Sequence, residues 1–282
     1  MIIVYFVEFI VYSFFGWLWE SVYCTINEKR WADRGFLFGP ICPIYGSCVI
    51  VLTLIFNLAQ AYFPSGIPMW MTFLVCFFGS AIAEFGTSYV LEKRFHMRWW
   101  DYSDMPLNID GRICLPVSIA FGIAGVLIVS FLLPQVALLH EKIPFSVYEI
   151  LAISFAMIFG ADYALTEAGL SSLLKDVNIM HDEFNEKAQS TYEVISEAPK
   201  KISEKISEAP KLMDESHDKL EQKARSIAGK YASLFNYNQR RIISSVKQFS
   251  IYQKLESLEK DETNLQSPIN YLKDEIRKFR SK

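Results

Sequence analysis

Six carboxylates lie inside or at the ends of long apolar runs, where a charge is expensive, and they set the chemistry open to this sequence: Glu8, Glu20, Glu84, Glu92, Asp162 and Glu167. The cores of those runs hold no Lys or Arg to neutralise the acids. Ser80, Glu84, Ser88 and Glu92 recur every four residues and so share one slowly drifting face of a helix. Ser154, Asp162 and Thr166 lie likewise on a later one. Such stripes must face other helices or water rather than lipid. Two chemistries fit them. A protonated or paired acid can hydrogen-bond between helices and hold them together. Alternatively Glu20, Glu84, Glu92 and Asp162 can line a path for a cation or proton entered from the cytoplasm.

Two connectors accompany the acids. Trp99 and Trp100 suit the membrane interface, but that role does not explain the polar residues after them. Asp, Ser, Pro and Asn order a turn through local side-chain bonds. Trp100, Asp101, Tyr102, Ser103, Pro106, Asn108, Gly111 and Arg112 therefore form a candidate loop site or docking surface. The second connector contains Gly39, Pro40, Cys42, Pro43, Tyr45 and Gly46 and opens a helix. Proline is tolerated in a first turn, glycine permits close approach, and the free amides of a helix start can receive an anion or a carboxylate. A tight helix start packed on a neighbour is the plainer reading.

The elements that must position these residues follow from composition. Of 282 residues 51% are hydrophobic, yet 20 of the 28 basic residues and 18 of the 31 acidic ones lie after Leu174. This predicts an all-α polytopic membrane domain over 1–174 and a charged, helical, coiled-coil-type tail over 175–282. Five runs, about 2–23, 41–63, 68–91, 115–139 and 147–174, are long enough to cross ~30 Å of hydrocarbon as helices. The first run lacks a basic start and a small-residue cleavage site, which predicts a retained span. Lys29, Arg30 and Arg34 occupy the loop over 24–40, and Lys93, Arg94, Arg98 and Arg112 the loop over 92–114, whereas the intervening loops hold only Lys142. Basic loops stay inside, so the N-terminus is expected outside and the tail in the cytoplasm, in the plasma membrane.

Gly35–Gly46 and Gly111–Gly122, 76 positions apart, share Gly, Pro, an aromatic and Gly at matching places, as a duplicated helix pair would; chance matching of common membrane residues would also produce this. In the tail, Ile195–Lys200 returns 11 residues later as Ile206–Lys211, although Pro199 and Pro210 should kink a helix there. Ile242, Val246, Phe249, Tyr252 (or Gln253), Leu255 and Leu258 read as one apolar stripe, and Ser267-Pro268 starts a last helix through Tyr271, Leu272, Ile276 and Phe279.

No catalytic nucleophile, metal-ligand set or cofactor motif is recognisable. The five cysteines form no CxxC pair, and His96, His140, His181 and His217 are scattered. A net charge of -3 does not indicate nucleic acid. The expectation is a non-enzyme with neither metal nor cofactor.

Gly16-Trp17 with Glu20, the Gly39–Gly46 stretch, Trp100–Ser103, Pro106–Asn108 and Gly111–Ile113 together resemble the bacterial permease-like membrane family of ABC-transporter type IV over roughly 8–130. The resemblance implies a transport component. The chain lacks a GxxxxGK[ST] phosphate loop, so the ATPase would be a separate subunit, and five helices imply a homo-oligomer or another membrane subunit for a pore. The alternative is a membrane anchor that presents its helical tail to cytoplasmic proteins.

Overall fold

The computed structural model describes residues 1–29, 35–59, 62–63, 66–201, 209–249 and 268–280. The chain divides into two compact units, Met1–Glu167 with Ser245–Gln248, and Ala168–Ser244 with Phe249–Lys282.

In the first unit the apolar runs form helices: α1 (Ile2–Glu28), α2 (Pro43–Ala59), α3 (Met69–Phe95), α4 (Leu115–His140) and the start of α5 (Phe145–Lys201). The result is a polytopic membrane fold. α1, α3, α4 and α5 are long and apolar enough to cross a bilayer. The most apolar windows of these helices bury only 6–28% of their residues inside the protein, so most of the greasy surface faces outward, as lipid requires. α2 is shorter than expected. Its 17 residues reach about 26 Å at ~1.5 Å each. The amides of Tyr62 and Phe63 both turn back to the Ala59 carbonyl, at 2.9 and 3.0 Å, so the apolar run ends in a turn.

Left-handed residues stop α1 and α3: Lys29 at φ 51° and His96 at φ 53°. The His96 amide donates to the Glu92 carbonyl at 2.7 Å. α4 contains a π-helical turn at Ile128–Leu132, which ends two residues before Pro134. Proline has no amide and crowds the carbonyl four residues back, so a local widening accommodates it without ending the helix. α5 runs through 174 without interruption, and the boundary between the two units falls within it, at Glu167/Ala168.

Close helix crossings rest on glycine. A Cβ on Gly16 would collide with the Tyr45 ring, one on Gly46 with the Ser13 hydroxyl and the Phe9 carbonyl, and one on Gly122 with the Phe73 ring. α1 thus packs on α2 and α3 on α4. Gly46 and Gly122, matched in the internal echo, both seat against the preceding helix. The helices themselves start at Pro43 and Leu115, four positions out of step in that alignment.

Between α3 and α4 the chain forms β1 (Met97–Arg98), β2 (Asn108–Ile109) and β3 (Ile113–Cys114), with Asn108 opposite Cys114 and Ile109 opposite Ile113 in an antiparallel pair. The Lys247 amide donates to the Arg98 carbonyl at 2.8 Å, which places Ser245–Gln248 in this unit.

The second unit has an apolar core of its own. Leu170, Leu173, Val177 and Met180 repeat at helical spacing along α5 and are buried. So are Ala224, Ile227, Ala228 and Tyr231 on α6 (Ala209–Leu234), and Tyr271, Leu272 and Ile276 on α8 (Pro268–Arg280). α7 (Tyr237–Ser245) opens with a reciprocal cap. The Asn236 amide donates to Gln239 Oε1 at 3.0 Å, and the Gln239 amide to Asn236 Oδ1 at 2.9 Å.

The apolar stripe expected to begin at Ile242 does not continue as helix. α7 ends at Ser245 and Gln248–Phe249 is extended, although Ile242 and Val246 are buried. Backbone pairing beside Arg98 takes the place of the next helical turn. The rest of that stripe, Arg30, Arg34, Ser267 and the side chains of the 195–211 repeat lie outside the described residues.

Gly46→Ala should lower the thermal unfolding temperature of the detergent-solubilised protein, because overpacking a tight crossing costs about 1–3 kcal/mol. Gly79→Ala, where a Cβ meets open space, should leave it unchanged.

Candidate functional site

Trp99–Arg112 is built outward from two buried guanidinium groups. Arg98 Nε lies 2.6 Å and Arg112 Nη2 2.7 Å from the same oxygen, Glu92 Oε2. Arg112 Nε also meets Asp110 Oδ2 at 2.7 Å, and Arg98 donates to the Asp110 carbonyl at 3.0 Å. Two cations and two anions therefore balance at the end of α3. Arg112 further donates to Ser88 at 3.2 Å and stacks over Phe85 and Tyr89. The lower part of the Ser80–Glu92 stripe is accordingly an anchor for the loop that follows it.

The motif residues complete the loop internally. Asp101 Oδ1 accepts from the Ser103 amide at 3.0 Å, an Asx turn, and from the Ser103 hydroxyl at 2.5 Å. Asn108 donates to the Ser103 and Met105 carbonyls and accepts from the Gly111 amide at 3.2 Å. Trp100 Nε1 donates to the Arg112 carbonyl at 3.0 Å. Gly111 has φ +64°, and a Cβ there would meet Asp101 and Ser103. Pro106 is exposed.

The Gly39–Gly46 stretch receives a carboxylate from the protein itself. Asp162 Oδ1 accepts from the amides of Phe38 at 3.0 Å and Gly39 at 3.1 Å, while Oδ2 accepts from Gly39 at 3.0 Å. Thr166 adds an acceptor for Phe38 at 3.2 Å. A Cβ on Gly39 would lie 2.7 Å from Asp162 Oδ2, so the bare backbone is what admits the acid. Pro43 begins α2, and Tyr45 packs on Gly16. Pro40 precedes that start. Phe36 lies 5.4 Å from Phe95 and 5.5 Å from Trp99 between ring centres, so the two connectors meet.

Deeper in the unit, Tyr102 donates to Glu84 Oε1 at 3.1 Å. Burial holds the Tyr102 hydroxyl protonated well above the usual tyrosine range, and the charges of Glu84 and Glu20 act in the same direction. Glu20 Oε2 lies 3.7 Å from Cys42 Sγ. Glu84 is 7% exposed, and its Oε2 has no hydrogen-bond partner among the described residues. The candidate acids thus fall into three settings: Glu92 with the arginines, Asp162 with the Phe38–Gly39 amides, and Glu20 and Glu84 near Tyr102. Glu167 pairs with Arg94.

One group escaped the sequence reading. Glu8 Oε1 lies 2.6 Å from His140 Nε2, and His140 Nδ1 lies 2.7 Å from the Tyr148 hydroxyl, across 132 positions of chain. No spacing rule links them, and the only local signal was a histidine closing an apolar run. Among the described residues, no three or more His, Cys, Asp or Glu side chains gather as metal ligands would.

Glu92→Gln leaves two buried guanidinium groups without their shared counter-charge, a loss of about 3–5 kcal/mol for a broken buried pair. Thermal unfolding should register that loss. Limited proteolysis should show cleavage within 99–112 at protease levels that leave the wild type intact.

No curated protein and no solved structure is significantly similar to the chain. The model of one protein family matches residues 7–167, a stretch that holds nearly all of the apolar helical runs, both connectors and all six acids. With more than half its length matched, the chain belongs to the family described as putative ABC-transporter type IV.

Proposed function

We propose that the chain is the membrane-embedded, permease-type subunit of a transport system, non-enzymatic itself and dependent on a separate ATP-hydrolysing subunit. The observation that carries this reading is Glu84. A carboxylate kept only to hold helices together would be expected to use both oxygens, yet Glu84 retains a buried Oε2 beside Tyr102 that has no partner among the described residues. In this reading Glu84 and Glu20 face the transported ion or polar group, and Asp162 holds the α2 start in place. The surface formed by residues 35–42 and 96–114 is the docking face for the ATPase, on the cytoplasmic side of the plasma membrane with the N-terminus outside. A homo-oligomer or a second membrane subunit completes the pore.

A second reading, an anchor that presents its C-terminal helices to cytoplasmic proteins, draws support from the separate apolar core of residues 168–244 and 268–280.

Complementation of a deletion strain separates the two. The transport reading expects Glu84→Gln to insert and fold normally, to co-purify the same ATPase as the wild type, and to fail to restore the strain. Full restoration by Glu84→Gln, combined with loss of function on removing residues 176–282, would establish the anchor instead.

A further inference from the structure

The loop over 99–112 holds itself together without the Tyr102 hydroxyl. Arg98 and Arg112 fix its ends to Glu92, while Trp100, Asp101 and Asn108 bond within it. The Tyr102 backbone belongs to that framework. Its amide donates to the Gly111 carbonyl at 2.7 Å, and its carbonyl accepts from the Met105 amide at 2.8 Å. The phenol does not belong to it, but reaches back to Glu84 Oε1 at 3.1 Å. Glu84 lies eight positions before Glu92 in the span Met69–Phe95, about 12 Å of helix deeper into the membrane segment. The loop is thus anchored at the end of α3 and enters the membrane segment through this side chain.

Glu84 is closed off in this arrangement. Its Oε1 takes the phenol, and its Oε2 is buried with no partner among the described residues. Whatever reaches the acid must first displace protein. Tyr45 on α2 is locked against Gly16, where its ring fills the space a Cβ would need. The Tyr102 phenol is only half-buried, and its hydroxyl is held to Glu84 by a hydrogen bond. Its ring can turn about χ1 and χ2 on a backbone that stays fixed, so it is the cheaper group to move.

We propose that Tyr102 is the gate of the Glu84 site. With the hydroxyl on Oε1 the acid is shut off from water, and rotation of the phenol away from α3 opens it toward the loop. The gate rests on the transport reading for what the opened acid receives, but not for the opening itself.

The test uses the full chain in lipid nanodiscs carrying Ser80→Cys, one turn beyond Glu84 on the same stripe. The probe is a methanethiosulfonate bearing a trimethylammonium group, which modifies thiols that water reaches. Modification is read at residue 80 by fragment mass, so the native cysteines do not interfere. With Tyr102 in place the reaction should be slow. Tyr102→Phe should speed it about fivefold, the factor carried by one ordinary hydrogen bond, and leave the protease resistance of 99–112 unchanged. Tyr102→Ala should speed it further by removing the ring; if that variant loosens the loop, Tyr102→Phe decides. A fast reaction with Tyr102 in place, equal rates with and without the hydroxyl, or acceleration by Tyr102→Phe accompanied by cleavage within 99–112 would each overturn the gate. Complementation scores the transport reading separately. If Glu84→Gln restores the deletion strain while Tyr102→Phe speeds labelling, the gate stands and the transport reading falls. If Glu84→Gln fails to restore it and labelling is unchanged, the gate alone falls.

Discussion

A single carboxylate oxygen, Glu92 Oε2, holds two buried arginines at the end of α3, and much of the membrane unit's ordered surface depends on that arrangement. Arg98 and Arg112 lie at the two ends of a 15-residue segment, so fixing both to one acceptor closes the segment into a loop. Asp110 completes the charge balance. Buried guanidinium groups tolerate no half measures. Unpaired they cost several kcal/mol, whereas paired they fix a single geometry. The Asx turn at Asp101, the Asn108 bridges and the left-handed Gly111 then order the interior of a loop whose ends are already held.

Asp162 does comparable work from another helix. In a bilayer or at its edge, an irregular backbone is acceptable only where its amides find protein acceptors. The chain before α2 is irregular, and the acid on α5 supplies what its amides lack. Gly39 is the counterpart of that acid, because any side chain there would occupy the space the carboxylate needs. The aromatic contact from Phe36 to Trp99 joins this anchored stretch to the loop held by Glu92.

Against this economy, Glu8 and Glu84 stand out. Each gives one oxygen to the protein, to His140 and Tyr102 respectively, and leaves the other buried and unpartnered among the described residues. They lie toward opposite ends of the unit, on α1 and α3. Acids that neutralise arginines or cap amides are accounted for by folding. These two are only half accounted for, and Glu84 draws the functional readings.

What the sequence determined by itself was periodic and local. Apolar runs had to become helices because lipid offers the backbone no other partner, and the four-residue spacing of Ser80, Glu84, Ser88 and Glu92 had to give one face. The turn chemistry of Asp101, Ser103, Asn108 and Gly111 acts over a few residues and was legible for the same reason. Even here distance intervenes: the stripe from Ile242 is helical by period, but the chain leaves the helix after Ser245, where the Lys247 amide pairs with the Arg98 carbonyl. Only the tertiary structure decided which acid met which partner. Asp162 reaches Gly39 across 123 positions and Glu8 reaches His140 across 132, and no local rule carries that far. Helix crossing sets those pairings. It depends on where glycines let backbones approach, and the resulting geometry separates an acid that uses both oxygens in the fold from one whose second oxygen is buried without a partner among the described residues.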